Sequence, residues 1–134
     1  MLAMEQIVGV LVTAGLGTAG SSLFAYDLPP TTNQALVALT QMADTMLDSQ
    51  LAGFWIGSFQ LIGRDPALQG LRTRLVAATT ALTWQKPRQL PASGDMPAVT
   101  LSHCRPRHHP IFFPRSPGGY LEASITFDFA GHPD

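Results

Sequence analysis

Charge is scarce in this chain: only 13% of its 134 residues are Asp, Glu, Lys or Arg, about half the share of an ordinary globular protein. With 46% hydrophobic residues beside it, that scarcity excludes an intrinsically disordered chain and fits poorly with a freely soluble monomer. Cysteine is nearly absent. Cys104 stands alone, so an internal disulfide and a zinc module built from cysteine pairs are both excluded. Eight Lys and Arg against nine Asp and Glu leave a net charge of −1, without the basic excess of a nucleic-acid binder. Basic residues are missing altogether before Arg64, where only Glu5, Asp27, Asp44 and Asp48 carry charge. From position 64 onward eight basic residues face five acidic ones. Catalytic signatures are missing as well: no nucleophile elbow or phosphate loop occurs. Gly15-Leu16-Gly17-Thr18-Ala19-Gly20 has GxGxxG spacing without the preceding strand and ribose-binding acid that would make it a dinucleotide site. No enzymatic activity, cofactor or small-molecule substrate is expected.

What is present begins with an uncharged run over positions 6–26. As a helix it would span about 31 Å, enough to cross a hydrocarbon core. Within it Gly9, Thr13, Gly17 and Ser21 recur every four positions, a ladder of small residues that would let another helix approach closely. Glu5 stands at its head, where a carboxylate either needs a partner or favours the positive end of the helix dipole. Asp27-Leu28-Pro29-Pro30 ends that helix. Leu36, Leu39, Met42, Ala43, Met46 and Leu47 follow helical spacing, so a second helix is expected from Thr31 or Thr32 to about Ser49, with the apolar 50–63 continuing it. Asp65-Pro66 opens a third helix to about Trp84, burying Leu68, Leu71, Leu75, Val76 and Leu82. After Gln85, prolines at 87, 91, 97, 106, 110, 114 and 117 break the chain. Short strands are expected at 99–101 and 111–113. Over 120–129 apolar and polar residues alternate as in a half-buried antiparallel strand. The expected fold is therefore α+β. A hydrophobic N-terminal helix covers 1–28; a head covers 29–134, with helices over about 31–84 and a Pro-rich loop and small antiparallel β region over 85–134.

The opening Met1-Leu2-Ala3-Met4-Glu5-Gln6-Ile7-Val8-Gly9-Val10-Leu11-Val12 resembles the mature N-terminus of type IV pilins and type II secretion pseudopilins. Gln41-Met42-Ala43-Asp44-Thr45-Met46 resembles a motif of the PilV-like minor pilins among them. The resemblance implies a minor pilin or pseudopilin, a structural subunit of a pilus or secretion filament. Such a subunit sits in the bacterial inner membrane through its N-terminal helix and then joins a periplasmic or extracellular filament of other pilin subunits. Met1, Glu5, Gly9, Thr13, Gly17 and Ser21 become the assembly residues, with the α-amino group of a neighbour's Met1 meeting Glu5. The alternative is a small single-span accessory subunit of a larger membrane complex.

Two lesser constellations lie near the C-terminus. His103, Cys104, His108 and His109 are metal-ligand types, but no second half-site with matching spacing exists, so no metal is expected. Arg105, Arg107 and Arg115 lie near Phe112, Phe113 and Tyr120, the residue types that meet phosphates and stack on bases. Three arginines are few for a nucleic-acid partner, which stays a minor alternative.

Overall fold

Residues 2–40, 46–47 and 53–133 are described by a computed structural model of the chain. Strands β1 (Leu23–Ala25), β2 (Ala35–Thr40), β3 (Met46–Leu47), β4 (Trp55–Asp65), β5 (Arg88–Leu90), β6 (Val99–Pro106), β7 (Ile111–Phe112) and β8 (Leu121–Pro133) form one sheet. The order is β1-β2-β4-β8-β6-β5, with β3 added to β4 and β7 to β8. Only the β1–β2 pair is parallel among the paired strands described. The sheet curls into a half-barrel, and strand makes up 42% of the structure. Two helices occur among the described residues, α1 (Met4–Thr13) and α2 (Leu68–Ala81). The expected α+β chain with a long N-terminal helix is thereby corrected to a mostly β fold.

The long pair β4–β8 explains the architecture. Its register sets Phe59 opposite Phe127 and Leu61 opposite Ile125, so alternate residues share one face. The Phe59 and Phe127 rings stack at 5.2 Å, and with Leu36, Ala38, Leu101 and Cys104 this face is buried. Both helices contact the sheet. α1 contributes Met4, Ile7 and Leu11 to the core, and α2 contributes Leu71, Leu75 and Ala78, with Leu82 just past its end. Gly63 makes room for α2: a Cβ there would lie 2.9 Å from Leu71 Cδ1 and 3.1 Å from Leu75 Cδ2. Asp65 then turns the chain into the helix. Its carboxylate is 1% exposed, accepts the Ala67 N–H at 2.8 Å and the Gln34 side-chain N–H at 3.3 Å, and pairs with Arg74 at 3.6 Å.

The expected membrane-length helix is overturned by a glycine turn. α1 stops at Thr13, and Gly15 and Gly20 adopt φ of 79° and 85°, which glycine reaches without steric cost. The chain reverses there and enters the sheet at Leu23. No helix among the described residues is long and apolar enough to cross a membrane. The uncharged N-terminal run is apolar because α1 and β1 bury one side of it in the core. The inner-membrane placement, the transmembrane helix and the pilin designation that depended on it are corrected on this ground.

The second expected helix is likewise strand. Positions 35–40 form β2, where Ala35, Leu36, Val37 and Ala38 are all buried, on both faces of the sheet. Such a strand shows a continuous apolar run, which periodicity does not separate from a buried helix. Positions 41–45 and 48–52, with most of the Gln41–Met46 motif, lie outside the described residues. The aromatic stretch read as its continuation is β4. The third expected helix is present as α2, with Leu71, Leu75 and Leu82 buried but Leu68 and Val76 exposed by 39% and 66%. The short strands and the alternating C-terminal one correspond to β6, β7 and β8.

Candidate functional site

Burial of one side of α1 leaves Glu5, Gly9, Val12 and Thr13 exposed on the other. The glycine turn brings β1 back alongside this face. Between them runs an open groove of about 450 Å³, lined by Glu5, Val8, Gly9 and Val12 of α1, Gly20 of the turn, Leu23 to Ala25 of β1, and Ser93. Among the described residues, Glu5 is the one charged side chain in that lining.

Two residues fix the groove's geometry. Tyr26, just past β1, has a left-handed backbone with φ of 69°, an outlier for a bulky side chain that costs about 1–3 kcal/mol. Its hydroxyl accepts the Met4 N–H at 3.1 Å and donates to Glu5 Oε2 at 3.4 Å, holding the first turn of α1 and the carboxylate together. Gln6, 3% exposed, anchors the same turn from inside. Its Oε1 accepts the Ala3 N–H at 2.9 Å, and its Nε2 donates to the carbonyls of Pro91 at 3.1 Å and Pro97 at 3.0 Å. α1 is thereby tied to the connection between β5 and β6, the far end of the strand order from β1.

The backbone of β1 adds an open edge. Ser22 O accepts from Leu36 N–H and Tyr26 N–H donates to Ala38 O, so in a parallel ladder the even residues face β2 and the odd ones turn away. Leu23 satisfies its outward groups within the turn, donating to Thr18 O at 3.1 Å and accepting from Gly20 N–H at 2.9 Å. Alternation directs the N–H and C=O of Ala25 outward, into the groove.

A second surface lies on β7. Ile111, Phe112 and Phe113 are 51%, 42% and 46% exposed, three large apolar side chains in succession. Phe113 N–H donates to Glu122 O, so Ile111 and Phe113 direct their backbone groups to β8 and Phe112 directs its own outward. Pro110 and Pro114 bracket the segment and limit it to one short edge strand.

The structure distributes the sequence-derived candidates unevenly. Met1 lies outside the described residues. Glu5 and Gly9 meet in the groove, with Thr13 farther along the same exposed face. Gly17 and Ser21 belong to the turn, so the four-residue ladder ends with α1. Glu5 is exposed and bonded by Tyr26, so its partner is a hydroxyl of its own chain.

The β-bulge between Leu101 and His103 lets Cys104 join Leu101 in the core, and strand alternation turns the adjacent His103 to the other face. Burial pushes the Cys104 thiol up to about 12, with Asp128 adding to the rise and Arg88 opposing it. His108 Nε2 accepts the Thr126 N–H at 3.3 Å, which leaves the hydrogen on Nδ1 to donate to His109 O at 2.6 Å. The ring thus stands in for a ladder carbonyl. Among the described residues no three of His, Cys, Asp or Glu gather as a metal site.

Arg107 pairs with Asp128 at 2.7 Å. Arg115 donates to the carbonyls of Pro66 at 2.9 Å and Gly119 at 2.8 Å, and Arg105 is exposed on β6. Sequence reasoning missed Tyr26 and Gln6. The left-handed backbone of Tyr26 has no sequence signature, and a buried Gln with carbonyl partners 85 and 91 positions away has none either.

No known family matches the chain, and no curated protein matches it in sequence.

Proposed function

We propose that this protein is a structural subunit that assembles with copies of itself, using β7 as a contact strand. The observation that carries the reading is the exposed Ile111-Phe112-Phe113 edge. Pro110 and Pro114 keep this edge short, one way of limiting open-ended strand pairing, but they leave three large apolar side chains exposed in succession beside an outward-facing backbone pair, a surface that suits one specific contact. The low charge content points the same way, since surfaces meant for water carry about 25–35% charged residues. A subunit role carries over from the sequence; the membrane helix does not.

Light scattering across a concentration series tests this with the wild-type chain and Phe113→Asp. The wild type is expected to exceed its monomer mass as concentration rises, while Phe113→Asp stays at that mass with an unchanged circular dichroism spectrum. A wild type fixed at the monomer mass throughout, or a variant that assembles equally well, contradicts the proposal.

A further inference from the structure

We infer that the surface receiving β7 is the α1–β1 groove of a second copy of this chain. The inference rests on the self-assembly reading above and names the other half of the contact. Three features of the two surfaces match.

The first is the backbone. β1 presents the N–H and C=O of Ala25 outward, and β7 presents those of Phe112 outward, so the two edges can exchange hydrogen bonds as added strands do. The second is shape and polarity. The groove's 450 Å³ is many times the ~30 Å³ share of one water, and Val8, Val12 and Phe24 line it. The strand that would enter carries Ile111 and Phe113. Gly9 leaves the groove floor open, with nothing within 4 Å of where its Cβ would stand.

The third is charge. Glu5 is the one charged group in the described lining, and no Lys or Arg precedes Arg64 in the sequence to meet it. Arg115 follows β7 closely, and among the described residues it donates to the neutral carbonyls of Pro66 and Gly119 and pairs with no carboxylate. It lies three residues beyond Phe112, a span of at most about 10 Å of chain. Glu5 is joined through the Tyr26 side chain to the residue next to Ala25. Pairing Phe112 with Ala25 thus brings the end of β7 that carries Arg115 toward the end of the groove that carries Glu5, and the proposed contact exchanges Arg115's carbonyl partners for that carboxylate.

Groove and strand are different surfaces of one copy, so each copy gives one contact and receives another. Successive copies close into a ring, a reciprocal pair being the smallest, or continue as a filament.

Mixing two blocked variants tests this. Gly9→Arg fills the groove and keeps β7; Phe113→Asp spoils β7 and keeps the groove. Each alone is expected to remain at the monomer mass, and an equimolar mixture is expected to form a one-to-one heterodimer that grows no further. If Gly9→Arg assembles like the wild type while Phe113→Asp does not, self-assembly stands but β7 docks elsewhere, and this inference is overturned. A wild type that never leaves the monomer overturns both readings. Glu5→Gln, measured by itself, is expected to weaken association about tenfold and to reduce its salt dependence. Unchanged affinity overturns the pairing with Arg115.

Discussion

The hydroxyl of Tyr26 bridges the backbone of Met4 and the carboxylate of Glu5, at 3.1 and 3.4 Å, from a residue whose own backbone is left-handed. The strain and the bonds belong together: the unusual φ turns the chain out of β1 so that the ring lies over the first turn of α1. Tyr26→Phe keeps the ring and removes the bridge. It is expected to lower stability by about 1 kcal/mol, read as a lower urea midpoint, and to weaken self-association by freeing Glu5. A midpoint and an association constant both equal to wild type would show that the hydroxyl positions nothing.

Asp65 holds the junction between β4 and α2 through its bonds to Ala67, Gln34 and Arg74. Asp65→Ala removes a buried acceptor from donors on exposed or half-exposed residues, where water can partly replace it, and is expected to cost about 1–2 kcal/mol. Asp65→Asn retains an acceptor for Ala67 N–H and should cost less. Equilibrium urea unfolding of the two variants checks the order.

Cys104 makes a prediction about pH. Its ordinary value is 9.0, and the folded protein raises it to about 12. As pH rises, the unfolded chain loses this proton first. Stability should therefore fall by about 1.4 kcal/mol per pH unit between those values, relative to a chain without the thiol. Cys104→Ala should flatten that part of the stability curve, whatever its packing cost. At neutral pH the folded protein should resist iodoacetamide and react only after unfolding. Rapid native alkylation would place the thiol at the surface.

His108 offers a local probe of the strap between β6 and β7. Replacing it with Phe removes the acceptor for Thr126 N–H. Hydrogen exchange at Thr126 should accelerate while exchange in α2 stays as it was. Equal protection of Thr126 in both proteins would mean that the ring bond contributes nothing to the ladder.

The elements legible in the sequence were those whose two faces differ. Positions 121–129 alternate because one face of β8 meets the core and the other carries Glu122 and Asp128, and Asp65-Pro66 marked the start of α2 chemically. β2 was illegible because its Ala35 and Val37 are buried as fully as its Leu36 and Ala38, which erases the alternation. The N-terminal run read as long enough for a membrane because composition does not show where Gly15 and Gly20 reverse the chain. Glu5 and Gly9 were singled out for a helix in lipid and instead line a groove exposed beside β1. The apolar 111–113 run was recognisable as a strand, but its exposure depends on β6 leaving β8 before β7 joins it.

Backbone amide exchange, followed in dilute and in concentrated wild-type protein, tests assembly through β7 most directly. The amide of Phe112, which points away from β8, should exchange freely in dilute solution and become protected as concentration rises, with Ala25 gaining protection in parallel. Exchange at Phe112 that stays equally fast at every concentration, while the core strands β4 and β8 remain protected, would contradict a contact built on this edge.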